Sequence, residues 1–222
     1  MDIREIIALL KEDFSFGQHK FDDLHKRYLK IAKGYSHRKD RVDFNPVSFK
    51  SATGFNYVFR FYKRAANDSR EGKIDCEHYI WFIKRRGLFA IRIVNQKSIY
   101  RTERKYQVYI PHFFDRYRER FLKDISIPKL EVMRCFMLCN PQGALMCFPS
   151  EKYPDSVWAR CNDGLILSNQ VTDEIYECKT YISFDMTFSG ERRFVDLTAE
   201  EGLKRGFEFK LPEENFYEYL ED

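Results

Sequence analysis

No apolar run in this 222-residue chain is long enough to span a membrane, so no membrane partner is expected. Its start lacks the basic-then-apolar pattern of a secretion leader, and the expectation is a cytoplasmic protein. None of the six cysteines, Cys76, Cys135, Cys139, Cys147, Cys161 and Cys178, forms a C-x-x-C pair, which points to reduced thiols. Cys135 and Cys139 could share a helix face, but Phe136, Met137 and Leu138 make that stretch apolar core rather than a metal site. The P-loop, G-x-G-x-x-G, G-x-S-x-G and H-E-x-x-H patterns are all absent, which weighs against the common nucleotide, hydrolase and zinc-protease chemistries. His19, His25, His37 and His78 are scattered, and Asp75, Glu77 and His78 have no second cluster to complete a metal site. The expectation is therefore no metal and no cofactor. There is no internal repeat and no low-complexity tract.

What is present is the composition of a soluble globular chain, 44% hydrophobic and 32% charged, long enough for a real core. The 21 Phe and 14 Tyr favour strands and a β-rich body. A net charge of +4 permits nucleic-acid binding without requiring it, and its distribution says more. From Arg101 to Lys123 there are seven basic residues against three acidic ones. The end of the chain, Glu213, Glu214, Glu218, Glu221 and Asp222, is acidic with no base after Lys210. Runs of this kind are commonly solvated faces.

Apolar spacing predicts two helices between Asp2 and about Gly34, broken at Phe14 to Gly17. Tyr35 to Gly54 reads as a polar, irregular loop with a turn at Asn45-Pro46, and the chain is divided at residue 54 into an N-terminal region and an α+β domain, 55–222. Strands are predicted at Phe55–Phe61, Glu77–Lys84, Leu88–Val94 and Tyr106–Ile110, with Lys63–Lys73 as a charged connection and Arg85-Arg86-Gly87 as a hairpin turn. A helix follows from Pro111 to about Lys123, packing through Phe113, Phe114, Tyr117 and Phe121. Leu130–Leu138 fits helix or strand. Short strands come next at Ala144–Phe148, Ser156–Cys161, Leu165–Ser168 and Ile175–Phe184, with turns at Asn140–Gly143 and Asn162-Asp163-Gly164. Asp196–Leu220 reads as helical. The fold class is α+β, a mainly antiparallel sheet with a packed central helix between N-terminal and C-terminal helices.

The central helix carries His112, Arg116 and Arg120 every four residues along one edge. The last predicted strand carries Lys179-Thr180. A His-Arg-Arg helix followed by a strand meander ending on Lys-Thr resembles the barnase–EndoU–colicin–RelE group of small ribonucleases, in particular its bacterial toxin-like domains. The resemblance covers a core of residues 106–190. It implies RNA cleavage by 2′-hydroxyl attack without a metal, a toxin or mobile-element origin, and a partner or inhibitor protein. It also implies Thr180 rather than Lys179 as the strand residue facing the helix, since adjacent strand residues point to opposite faces.

Metal-free RNA cleavage needs a base for the 2′-hydroxyl, an acid for the leaving 5′-oxygen, and cations or amides for the phosphorane charge. His112 is the one titratable imidazole in the basic stretch. Arg116 and Arg120 can hold phosphate oxygens in a bidentate manner, and the helix start can add N–H donors. The candidate catalytic set is His112, Arg116, Arg120 and Thr180, and the candidate nucleic-acid-binding set is Arg101, Arg104, Lys105 and Arg118. Two alternatives stay open. Asp115 and Glu119 could make the arginines an ion-paired surface face of a non-catalytic nucleic-acid-binding or protein-interaction module. The acidic end could instead dock on the basic stretch.

Overall fold

The computed structural model describes residues 2–65, 74–97, 102–140, 146–149 and 156–187. The helix expected at Asp196–Leu220, the acidic chain end and Arg101 lie outside them. The fold is α+β, with mostly antiparallel strand pairs, and its contacts cluster into two compact units that divide after Phe82.

In the first unit, a single helix α1 runs from Ile3 to Lys33 where two were expected. Asp2 opens it with a capping box: its side chain accepts from the Ile3 N–H at 2.6 Å, and Glu5 Oε2 accepts from the Asp2 N–H at 2.8 Å. Ile3, Ile6, Ile7, Leu10 and Leu24 are buried along it. Gly17 does not break the helix. A Cβ there would collide with the Tyr57 ring, whose hydroxyl donates to Asp13 Oδ2 at 2.8 Å. The glycine thus permits close approach of helix and strand rather than a turn. The expected loop after the helix contains two short strands, β1 (Val42–Asp43) and β2 (Val47–Lys50), too short to display a period. Both pair antiparallel with β3 (Asn56–Lys63), as does β4 (Ile74–Lys84). On the helix side, Phe61 stacks on Phe21 and Tyr28, with ring centroids 5.8 and 4.8 Å away.

In the second unit, β5 (Gly87–Lys97), β6 (Thr102–Tyr109), β7 (Met146–Pro149), β8 (Ser156–Arg160), β9 (Gly164–Thr172) and β10 (Ile175–Ser183) lie in the order β5-β6-β10-β9-β8-β7. All these neighbours are antiparallel except β6 and β10. A parallel pair needs a long crossover. Here it contains helix α2 (Pro111–Tyr117), a wide π-type turn (Arg118–Leu122), helix α3 (Lys129–Cys139) and the three antiparallel strands. The stretch 130–138, open between helix and strand in the sequence, is helical. Lys123, at φ +55°, ends the π turn.

The helices pack on the sheet through aromatics, as the sequence predicts. Phe113, Phe114 and Tyr117 are fully buried, Phe121 is half-buried, and Phe136 of α3 lies 4.8–6.5 Å from the first three rings. Tyr109 and Tyr181 join this cluster from the sheet. Arg92 on β5 is also buried. It donates to the Asn140 carbonyl and, at 3.1 Å, to that of Met137, satisfying the open carbonyls at the end of α3. None of the described helices is long and apolar enough to cross a membrane.

Candidate functional site

The chain leaves β6 through the extended Ile110 and enters α2 at Pro111, whose fixed φ suits a first helical position. His112 is exposed on the first turn, and Arg116 stands one turn later. The Arg116 Nε–H donates to His112 Nε2 at 3.2 Å, and its Nη1 donates to Glu119 Oε2 at 2.8 Å. The guanidinium therefore bridges an imidazole and a carboxylate on a solvent-facing edge. His112 Nε2 is the acceptor in this contact. The helix start offers an anion less than expected. Pro111 has no N–H, and that of Phe113 is already bonded to the Ile110 carbonyl at 2.9 Å.

Arg120 does not continue the line. The chain widens into the i→i+5 turn after Tyr117, which takes residue 120 off the edge held by 112 and 116. Its guanidinium donates instead to the backbone carbonyl of Tyr181. Arg118 is also occupied, by the Ile127 carbonyl at 3.2 Å and by Asp115 at 3.4 Å. Asp115 accepts from Lys129 at 2.8 Å as well, so this group fixes the 123–128 loop rather than presenting cations to a ligand.

Thr180 does not face the helix. The Tyr181 ring packs on Tyr117 with centroids 4.8 Å apart, so adjacent Thr180 points to the opposite side of the strand. A bulge between Cys178 and Thr180 shifts the register of β10 against β9, an irregularity the strand motif does not announce. Lys179 pairs with Glu177 at 3.3 Å. Arg104 and Lys105 sit far from the helix start: Lys105 is four residues before Tyr109, about 13 Å along an extended strand. The Lys105 ammonium donates to the Asp173 carbonyl at 2.7 Å. The structure thus joins His112 and Arg116, and brings in neither Thr180 nor the β6 cations.

The Asp75, Glu77 and His78 trio is likewise drawn into other contacts. Asp75 accepts from Arg64 and Tyr62, and Glu77 pairs with Arg41 at 3.1 Å and Arg60 at 3.5 Å.

Two participants were not singled out in the sequence. Glu119 is the first, visible there only as an acidic neighbour. Asp163 is the second, and it read only as a turn residue in Asn162-Asp163-Gly164. It is 3% exposed. Its Oδ2 accepts from Tyr117 at 2.6 Å and Asn140 Nδ2 at 2.9 Å, and its Oδ1 accepts from the Cys161 thiol at 3.3 Å. Its backbone carbonyl accepts from the Tyr181 hydroxyl at 2.6 Å. Burial pushes the carboxyl above its ordinary value of 3.8, and the hydrogen bonds from Tyr117, Asn140 and Cys161 pull it back in part. Burial also raises Tyr117 and Tyr181, with the Asp163 charge adding to each. Asp163 ties α2, the end of α3, the β8–β9 turn and β10 together, without reaching solvent.

No family model matches the chain, and neither a curated protein nor a solved structure was found to match it.

Proposed function

We propose that this chain cleaves RNA without a metal, at the exposed edge of α2. The observation that carries the reading is the Arg116 guanidinium held between His112 and Glu119. When a phosphodiester engages Arg116, His112 Nε2 is released toward the neighbouring ribose and takes the 2′-hydroxyl proton. The 2′-oxygen bonds to phosphorus, Arg116 faces the charged non-bridging oxygens, and the bond to the 5′-oxygen breaks. That oxygen takes a proton from water, and His112 returns its own to the hydroxide so formed. The products are a 2′,3′-cyclic phosphate and a free 5′-hydroxyl. Glu119 is a positioning residue that aims the guanidinium.

In this scheme Arg120 is also a positioning residue, and Thr180 has no part. Those two placements favour a second reading, a nucleic-acid-binding module that holds RNA and does not cut it. The two part on His112. Purified protein in EDTA should convert single-stranded RNA to cyclic-phosphate ends, and His112→Ala should slow this about 10²- to 10⁴-fold with folding intact. Binding without any product from the wild type would establish the module. A fully active His112→Ala would sink the catalytic scheme.

A further inference from the structure

We infer that the exposed turn Lys84-Arg85-Arg86 is a second contact surface of the same site, holding the phosphate backbone of a single-stranded RNA. This rests on the proposed cleavage at His112 and adds where the strand runs.

Ile83, Lys84, Arg85 and Arg86 are four consecutive exposed residues, and Arg85 and Arg86 form the tight turn that enters β5. Between Glu77 and Glu103 the chain has no acidic residue, so no local carboxylate offsets these three cations. Among the described residues, none of the three makes a side-chain hydrogen bond or ion pair. They differ in this from Arg116, Arg118, Arg120 and Lys105, all already engaged. Unengaged surface cations keep their hydration and stay available to an incoming polyanion.

The placement follows from the strand register. Ala90 pairs with Tyr109, so the start of β5 lies at the end of the sheet where β6 delivers the chain into α2. Gly87, at φ +114°, packs so closely that a Cβ there would stand 3.2 Å from Pro111 Cβ. Arg86 is thus one residue from a contact with Pro111, and His112 is the residue after it. A strand bound at Arg116 can continue past Pro111 toward Lys84, Arg85 and Arg86. Guanidinium groups suit phosphate oxygens better than lone ammoniums do, and two of the three are arginines.

The experiment titrates the full chain with a fluorescent 2′-O-methyl oligouridine, which lacks the attacking hydroxyl, over a series of salt concentrations. Replacing Lys84, Arg85 and Arg86 together by Ala should weaken binding and lower the log–log salt slope by about 2, from about 0.7 per phosphate contact on a single strand. Arg85→Lys with Arg86→Lys preserves the charge and should keep the slope. A triple variant with wild-type affinity and slope overturns the inference, even if His112→Ala abolishes cleavage and the proposed function stands. A reduced slope upholds it, even if the wild type never cuts RNA and the catalytic reading falls. Poly-glutamate bound as tightly as the oligouridine, with the same loss in the triple variant, would also overturn it in favour of an acidic protein partner. Matching unfolding midpoints by circular dichroism show that each variant is folded.

Discussion

The two compact units fix their elements with polar groups in opposite ways. In the first unit the work is spread over a half-exposed lattice of charges. Arg41 reaches Asp43 at 2.8 Å and Glu77 at 3.1 Å, and Arg60 reaches the same two carboxylates at 3.1 and 3.5 Å. Arg41 also lies over the Tyr62 ring, 3.7 Å from its centroid. In the second unit one buried carboxylate, Asp163, accepts three side-chain donors from different elements. A distributed, hydrated lattice can lose a member cheaply because water and the remaining partner take over. A dry hub cannot, because a buried donor left without another acceptor is stranded.

The largest effect should follow from Asp163→Ala. It leaves the Tyr117 hydroxyl and an Asn140 amide hydrogen without their acceptor in a core that water does not reach, while the Cys161 thiol keeps the Gly164 carbonyl at 3.2 Å. At about 1–3 kcal/mol for a stranded buried group, partly relieved by relaxation, the loss in urea unfolding should be about 3–5 kcal/mol. A loss below about 1 kcal/mol would mean that the hub is no more essential than a surface pair, and would erase the contrast.

Much of this chain is legible in its sequence because apolar spacing and turn chemistry are local signals. The meander from Ser156 to Ser183 and the buried face of Phe113, Phe114 and Tyr117 follow from such spacing. What failed depends on distant partners. Gly17 reads as a break until Tyr57, forty residues on, is seen to need the space. Arg120 falls out of line with His112 and Arg116 because the π turn changes the helical period, and four-residue spacing assumes a constant one. The bulge in β10 likewise disturbs the alternation that a strand motif takes for granted. Asp163 was the hardest to read, since Asn-Asp-Gly is turn chemistry whether the turn is wet or buried.

The contrast sharpens with pH. The folded-state value of Asp163 is raised above the ordinary 3.8 because burial disfavours the charge. A group raised in this way contributes most below its unfolded value, loses that contribution as pH rises through the folded value, and is flat above it. Asp163→Asn keeps the shape and removes the titration. Wild-type stability measured against this variant should therefore be greatest in acid and decline as pH rises through the raised value. A difference that instead grows over that window would show that the donors around Asp163 outweigh its burial, and that the folded-state value is lowered rather than raised.

The smallest effect belongs to Arg60→Ala. The Arg60 side chain is 27% exposed and Asp43 39%, so solvent screens their attraction. Arg41 already holds both carboxylates that Arg60 serves, and Glu77 keeps a cation after the substitution. The expected cost is about 0.2–1 kcal/mol, diminishing as salt is added. Arg41→Ala should cost somewhat more, since it also uncovers the Tyr62 ring. The two together should exceed the sum of the singles by about 0.5 kcal/mol or more, because only then does Glu77, 16% exposed, lose both its cations. A double-mutant cycle in urea at low and high salt reads all three values. If Arg60→Ala alone costs as much as Asp163→Ala, or the cycle is strictly additive, the charges of the first unit are not interchangeable. That unit would then rest on single contacts, as the second unit rests on Asp163.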